Sequence, residues 1–317
     1  MRKEIIEILK DKNDYISGEE IGNILGISRA AVWKNIEALR KKGYIIESVS
    51  NKGYRLIDST DVLSESDIDY DKVLYKAELG STNEEGKRQA AKGCENGLLI
   101  ICDDQTAGKG RLGRSWQAEK NRGIYMSMVL YPDIMPTEIP QITLVTGIAV
   151  MRAMNNVTGS KTQIKWPNDI IINGKKLAGI LAEMSAEMEK VNYVVIGIGI
   201  NVNMESFEGE LKEKATSLYI ETGKRFKRSL IINEFVKGFE ICYNEFCKNG
   251  FTPFVKEYNE NCANAGKAVK TVGGRTNIEG ISKGVNEKGE ILIETDKGLT
   301  AVMAGEVSIR SSNGKYI

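Results

Sequence analysis

A glycine-rich basic loop lies between two apolar runs, and the spacing around it limits what sheet the middle of this 317-residue chain can build. The loop reads Gln105-Thr-Ala-Gly-Lys-Gly-Arg-Leu-Gly-Arg-Ser-Trp116, with Leu98 to Cys102 before it and Ile124 to Tyr131 after it as strands. Gly108, Gly110 and Gly113 match G-x-G-x-x-G, and Asp133 follows 20 residues beyond, as a dinucleotide fold would ask. Yet only residues 114–123 separate the last glycine from the second strand. A parallel crossover takes roughly a dozen residues or more, normally with a helix. This stretch has Asn121, Gly123 and no apolar stripe. No Lys-Ser/Thr pair follows the last glycine, so the Walker A form fails as well. What remains is an anion-binding loop of another kind. Its glycines allow close approach or positive φ. Lys109, Arg111 and Arg114, with no carboxylate among them, suit a phosphate or carboxylate. A solvated basic turn is the alternative.

The chain contains no histidine, which excludes imidazole bases, Ser-His or Cys-His nucleophile pairs and His-ligated metals. Any chemistry must run on carboxylates, Lys, Arg, amides and Mg²⁺. Five cysteines (94, 102, 242, 247, 262) make no Cys-x-x-Cys pair and read as reduced thiols in a cytoplasmic protein. Met1-Arg-Lys-Glu lacks the apolar region of a signal peptide, and no run reaches the ~18 residues of a membrane span. No membrane partner is expected. A net charge of +1 means that any nucleic-acid surface must be local, and the length suggests two or three domains.

The first such surface is near the N-terminus. Ile5, Ile8 and Leu9 mark a helix face over 2–10, and Ser17-Gly-Glu-Glu20 is a capping box opening a short helix that stops at Gly26. Ser28 caps a second helix, with Gly43 as its stop. Val32, Ile36 and Leu39 should pack inward, leaving Arg29, Ala30, Trp33 and Lys34 near the helix start for DNA, with a core position as the alternative for Trp33. Tyr44 to Val49, a turn at Ser50 to Gly53, and Tyr54 to Ile57 read as a hairpin wing carrying Lys52 and Arg55. From Arg29 to Arg55 seven Lys/Arg face two Glu, while 58–71 holds six acids and no Lys or Arg. This is a winged helix-turn-helix grammar followed by a boundary.

From about 73 to 262 the pattern is mixed α/β. Ser81-Thr82-Asn83 opens a polar helix over 84–92 and offers hydroxyl, amide and N–H donors, although capping alone explains the trio. Residues 138–155 suit a helix. Lys165-Trp-Pro-Asn-Asp169 precedes Ile170–Ile172, and Asn173-Gly174 is a hairpin signal that places Lys176 on the returning strand. Pro-Asn-Asp suits Mg²⁺ or a ribose, and is also ordinary turn chemistry. Val194 to Asn201 is a buried strand whose glycines imply close approach by another backbone or a flat ring. Residues 204–217 read as a mobile lid, and 229–248 as an amphipathic helix with Leu230, Phe235, Phe239 and Phe246 on its apolar side. After Cys262, short strands at 267–272, 277–285, 290–295 and 299–303 suggest a small barrel.

Taken in order, Ser81-Thr82-Asn83, the Gly108–Arg114 loop, Lys165 to Asp169, Lys176-Leu-Ala-Gly-Ile-Leu181 and Gly197-Ile-Gly-Ile-Asn201 resemble the bifunctional biotin protein ligases, biotin–[acetyl-CoA-carboxylase] ligases that also repress biotin genes. The resemblance implies an α+β multidomain chain. Residues 1–60 would form a winged helix-turn-helix, 61–72 a linker and 73–262 a ligase domain like the class II aminoacyl-tRNA synthetases. Residues 263–317 would form an SH3-like barrel. It implies that Ser81, Thr82, Asn83, Gln105, Lys109, Gly110, Arg111 and Lys176 surround biotin. Arg111, Arg114, Trp116, Asn168, Asp169 and Asn201 would hold ATP and the adenylate, with Asp169 as a Mg²⁺ contact. Lys176 and Arg111 would be catalytic. Implied partners are the biotin carboxyl carrier protein of acetyl-CoA carboxylase, operator DNA and a second copy of the chain. The family's loop usually begins Gly-Arg-Gly-Arg; here Lys109 replaces the first Arg, a point charge without the bidentate fork. Two alternatives are a biotin-responsive regulator that transfers nothing, and a ligase for lipoate or octanoate.

Overall fold

A computed structural model describes residues 1–317 except 13, 42–43, 59–60, 62, 189, 274–276, 305–307, 312–315 and 317. It divides into two units, Met1–Leu63 and Ser64–Ile317. In the first, helices α1 (Arg2–Lys12), α2 (Gly18–Leu25) and α3 (Arg29–Lys41) bury Ile5, Leu9, Ile21, Val32, Ile36 and Leu39. The caps expected from sequence are present. Ser17 Oγ accepts from Glu20 N at 3.0 Å, Ser28 Oγ from Ala31 N at 3.2 Å, and Gly26 ends α2 at φ 66. The expected stop at Gly43 lies outside the described residues. Strands β1 (Ile45–Val49) and β2 (Gly53–Asp58) pair as an antiparallel hairpin. Gly53 is required there: φ is 104, and a Cβ would meet Ile16 O at 2.1 Å.

The second unit is built on one mixed sheet. Strand β3 (Val73–Leu79) leads into α4 (Thr82–Ala90), and β4 (Leu98–Gln105) enters the glycine loop. Strand β5 (Gly123–Leu130) leaves that loop antiparallel to β4, the geometry that a ten-residue link permits and a parallel crossover does not. Helix α5 (Ile139–Thr158) precedes β6 (Gln163–Lys165), β7 (Asp169–Ile172), β8 (Lys175–Glu187) and β9 (Lys190–Asn201). Asn173 and Gly174, at φ 49 and 78, turn β7 into β8 as the hairpin signal requires. Among the described residues the sheet order is β3-β4-β5-β9-β8-β7-β6, with β3 and β4 parallel and the other pairs antiparallel.

Helices α6 (Leu211–Lys214) and α7 (Leu218–Thr222) follow β9, and then comes α8 (Arg228–Asn249), which packs on α5. On α8 the expected apolar face needs one correction. Phe235, Phe239 and Phe246 are buried, but Leu230 is 52% exposed, while Ile231 and Ile232 fill the core. The helix starts at Arg228, a fully buried residue paired with Asp103 at 2.8 Å, and this anchor sets which side turns inward. Asn233 of α8 also holds the acidic stretch before β3, donating to Asp67 O and accepting from Asp69 N.

After α9 (Val255–Glu260) the chain forms a barrel of β10 (Ala268–Val272), β11 (Glu279–Val285), β12 (Ile291–Thr295), β13 (Gly298–Val302) and β14 (Ser308–Ser311), in the order β13-β12-β11-β10-β14. Strand β14 has no counterpart in the sequence reading, being four residues with no alternating pattern of its own. The barrel is joined to the sheet domain by buried bonds: Trp166 Nε1 donates to Gly289 O at 3.0 Å, and Trp166 N to Asn264 Oδ1 at 2.9 Å. The fold class is the expected one, a helix-turn-helix unit, a mixed α/β domain and a small C-terminal barrel.

Candidate active site

Two adjoining cavities open on one face of the mixed sheet. The smaller, about 50 Å³, is lined by Ser81, Thr82, Asn83, Gln105, Lys109 and the glycine backbone of β8 and β9. The larger, about 410 Å³, is lined by Arg114, Lys165, Asp169, Asn201 and by residues of β14. Gly110, Arg111, Trp116, Asn168 and Lys176 line both.

The smaller cavity is a polar slot set into an apolar sheet. Ser81 stands at the N-cap of α4 but makes no side-chain cap bond, so capping does not occupy its hydroxyl. Thr82 donates to Gln105 Oε1 from both N (2.9 Å) and Oγ1 (3.1 Å). Ser127 Oγ lies 2.7 Å from Thr82 Oγ1 and 2.6 Å from Asn83 Oδ1. Asn83 Nδ2 donates to Glu183 Oε2 at 2.7 Å, and Lys87 pairs with the same carboxylate. Glu183 and Ser127 were not singled out in sequence. The signal for Ser127 was available, a small hydroxyl side chain between two methionines in a strand buried along its whole length. A low-dielectric network of this kind fixes its members rigidly.

Glycines on β9 make room for this arrangement. A Cβ on Gly197 would meet Asn83 Oδ1 at 2.2 Å, and one on Gly199 would meet the Trp116 indole at 2.5 Å. The flat ring implied by the glycine-interrupted strand is therefore Trp116. Its Nε1 is buried and finds no acceptor among the described residues.

The glycine loop folds differently from a plain reading of its glycines. Gly113 takes φ 70, but the other left-handed residue is Leu112 at φ 58, while Gly110 is extended at φ −119. Gly108 serves close approach, with a Cβ meeting Gln105 Nε2 at 2.6 Å and Trp116 O at 2.8 Å. Arg111 donates to Asn168 Oδ1 at 3.0 Å, and burial pulls its guanidinium below the usual value, leaving it a cation at neutral pH. Arg114 is exposed on the rim. Lys109 pairs with Glu84 at 2.6 Å, so its ammonium is held at the surface and only the backbone is left to the slot.

Lys176 reaches the junction of the cavities through a bulge. The register slips between Ile170 and Ile171 of β7, which face Ala178 and Lys176, leaving Leu177 as the extra residue. Lys176 Nζ then lies 2.6 Å from Asp169 Oδ1 and 5.4 Å from the Trp116 ring centre. Burial works against a charged Asp169, but Lys176, Lys165 and a hydrogen bond from Tyr316 outweigh it and hold the carboxyl below its usual range. Asn201 donates to Thr216 O at 3.0 Å, closing the far wall.

Among the described residues, six cationic side chains line the larger cavity against two carboxylates, Asp169 and Glu210. That excess suits a polyphosphate. Lys165, Arg310 and Tyr316 belong to it; Lys165 opens the Lys165 to Asp169 motif but was given no site role, and Arg310 and Tyr316 were not singled out in sequence. Among the described residues no group of three acidic or thiol side chains forms a metal cage. Asp169 Oδ1 pairs with Lys176 and Oδ2 accepts from Tyr316, so with Tyr316 docked neither oxygen is left over for a Mg²⁺.

In the first unit, Arg29, Ala30, Trp33 and Lys34 are exposed at the start of α3, Trp33 at 57%, so the core alternative for Trp33 does not hold. On the wing, Lys52 and Arg55 lie 5.7 and 4.9 Å from the Tyr15 ring centre. Arg40 is not part of the open charge, since Nε and Nη2 both donate to Ile46 O.

A sheet domain with a slot beside a cationic cavity, joined to a helix-turn-helix unit, defines a class. Residues 79–201 match the biotin/lipoate A/B protein ligase family, 2–55 an HTH domain and 265–310 the biotin protein ligase C terminal domain. The bifunctional ligase/repressor BirA of Bacillus subtilis is 38% identical over 98% of each chain, and that of Escherichia coli is 30% identical over 94% of each. The biotin protein ligase from Aquifex aeolicus in complex with biotin and ATP superposes with a TM-score of 0.69 at 32% identity, covering 77% of this chain and all of that one. The chain belongs to the bifunctional biotin ligase/repressor family.

Proposed function

We propose that this chain activates biotin with ATP and transfers it to a lysine of a biotin carboxyl carrier protein, and that it represses biotin genes with the adenylate as corepressor. The observation that carries this reading is the wall shared by the two cavities. Biotin's ring system fits the polar slot, where Ser81, Thr82, Asn83 and Gln105 offer donors and acceptors. Its carboxylate then points to Lys176, Arg111 and the cationic cavity that takes the triphosphate. Trp116 forms the partition, and its unpartnered indole N–H is completed by a ligand oxygen, since a buried donor left unpaired is costly.

The chemistry needs no histidine. A carboxylate oxygen, ionised at neutral pH, attacks the α-phosphorus and pyrophosphate leaves. Positioning and charge stabilisation do most of the work in such transfers. Lys176 and Arg111 face the phosphate, with Asn168 orienting Arg111 and Asp169 orienting Lys176. Mg²⁺ comes as part of the MgATP substrate, and no step is assigned to a metal held by the protein. The product is a mixed anhydride, and the Gly108–Arg114 loop shields it from water. The acceptor amine then attacks the acyl carbon and AMP leaves.

Residues 1–60 are assigned to DNA, with Arg29, Lys34, Lys52 and Arg55 as phosphate contacts and Ala30 and Trp33 facing the bases. A homodimer, promoted by the adenylate, matches a two-fold operator. Incubation with biotin, MgATP and a carrier domain, followed by mass spectrometry, tests the enzyme reading. A biotin-sized adduct on one lysine is expected; bound biotin with no adduct would leave a regulator only, and an adduct from lipoate in preference to biotin would reassign the substrate.

A further inference from the structure

Tyr316 stands where the larger cavity needs room for a polyanion. Lys165 Nζ lies 3.9 Å from its ring centre, the Arg310 guanidinium lies 5.1 Å from the same point, and its hydroxyl donates to Asp169 Oδ2 at 2.5 Å. One half-buried side chain thus engages three charged groups of the wall assigned above to the nucleotide. Lys165 is itself buried, and among the described residues no carboxylate comes within ion-pair reach of its ammonium. Burial pushes that ammonium down to about 8, the mark of a cation short of a full counter-charge. A ring face is a weaker partner for a desolvated cation than a phosphate, which brings whole charge and charge-assisted hydrogen bonds.

From this geometry we infer that Tyr316 is a competitive occupant of the nucleotide site, covering Lys165 and Asp169 until ATP displaces it. The inference rests on the ligase reading above. A tyrosine acting as a platform for the base would have its ring face open to the ligand. Here the ring is committed to cations and the hydroxyl to the carboxylate, which is the phosphate end of a nucleotide. Apparent affinity falls by the fraction of protein in the open state. A ring docked in roughly nine molecules of ten weakens ATP about tenfold.

The test is the KM for ATP in adenylate formation at saturating biotin, for the parent, Tyr316→Ala and Tyr316→Phe. The alanine variant should show a KM lower by about tenfold, and the phenylalanine variant, which keeps the ring and loses the hydroxyl, an intermediate value. An unchanged or raised KM in Tyr316→Ala overturns the inference while leaving the ligase reading intact. No adenylate from the parent protein removes both. A second measurement needs no truncated side chain: 3-fluorotyrosine placed at position 316 alone should shift its ¹⁹F resonance on adding MgATP. A resonance that ATP does not move also overturns the inference.

Discussion

Lys176 Nζ lies 2.6 Å from Asp169 Oδ1, across a register slip between neighbouring strands that holds the ammonium at the junction of two cavities. The pair makes the lysine a fixed charge rather than a mobile one. Lys176→Ala should slow both half-reactions by about 10²–10³, the usual effect of losing an electrostatic stabiliser. Single-turnover measurement of adenylate formation and of transfer checks this; adenylation at the parental rate would remove Lys176 from the mechanism.

Arg111 differs because it sits on the loop and reaches the sheet domain's floor through Asn168 at 3.0 Å. Arg111→Gly should still form adenylate but release it at least about tenfold faster, the loss of one charge-assisted hydrogen bond. Biotin should then appear on lysines of bystander proteins. A dissociation rate equal to the parent's would show that the loop does not retain the product.

Gly199→Ala tests the partition. A Cβ would stand 2.5 Å from the Trp116 indole, so the ring must move or the strand must shift. Overpacking of this kind costs about 1–3 kcal/mol. The midpoint of thermal unfolding should drop, and KM for both biotin and ATP should rise because one ring walls both cavities. A change in only one KM would argue against a shared wall.

The lowered pKa of Lys165 predicts a pH-dependent site. Burial, with Arg310, Lys176 and Arg114 adding to it and Asp169 opposing, lowers its pKa from 10.5 to about 8. Raising the pH from 7 to 9 should therefore weaken ATP binding as this cation is lost, and Lys165→Arg should flatten the profile. For stability the sign is the reverse. Between the folded value near 8 and the unfolded value of 10.5 the unfolded chain binds more protons, so this group's contribution becomes more favourable as pH rises through that window. Binding titrations and denaturant melts at pH 7, 8 and 9 separate the two effects.

For the DNA surface, neutralising Lys34 or Lys52 should weaken binding to all sequences and reduce the salt slope by about one unit each. Arg40→Ala should instead lower stability, because its guanidinium ties α3 to Ile46 O at 2.7 Å. Operator binding that survived deletion of residues 1–60 would sink the assignment.

What could be read in the sequence was what depends on neighbours along the chain. The Ser17 cap, the Asn173-Gly174 turn and the short link from Gly113 to β5 are local constraints on backbone geometry. Each carried its own signal in residue type and spacing. The absence of histidine ruled out whole mechanisms without any structure. Tertiary structure decided the rest. Trp116 lies on Gly199, Ser127 lies between Thr82 and Asn83, and Tyr316 bonds to Asp169 across 147 residues of sequence. A side chain's partner at such separations is set by sheet order and by where the barrel docks, neither of which leaves a periodicity in the residues themselves. Lys109 shows the same limit from the other side. Its charge belongs to the anion loop by sequence, yet Glu84 on α4, 25 residues earlier, pairs with it at 2.6 Å on an exposed surface.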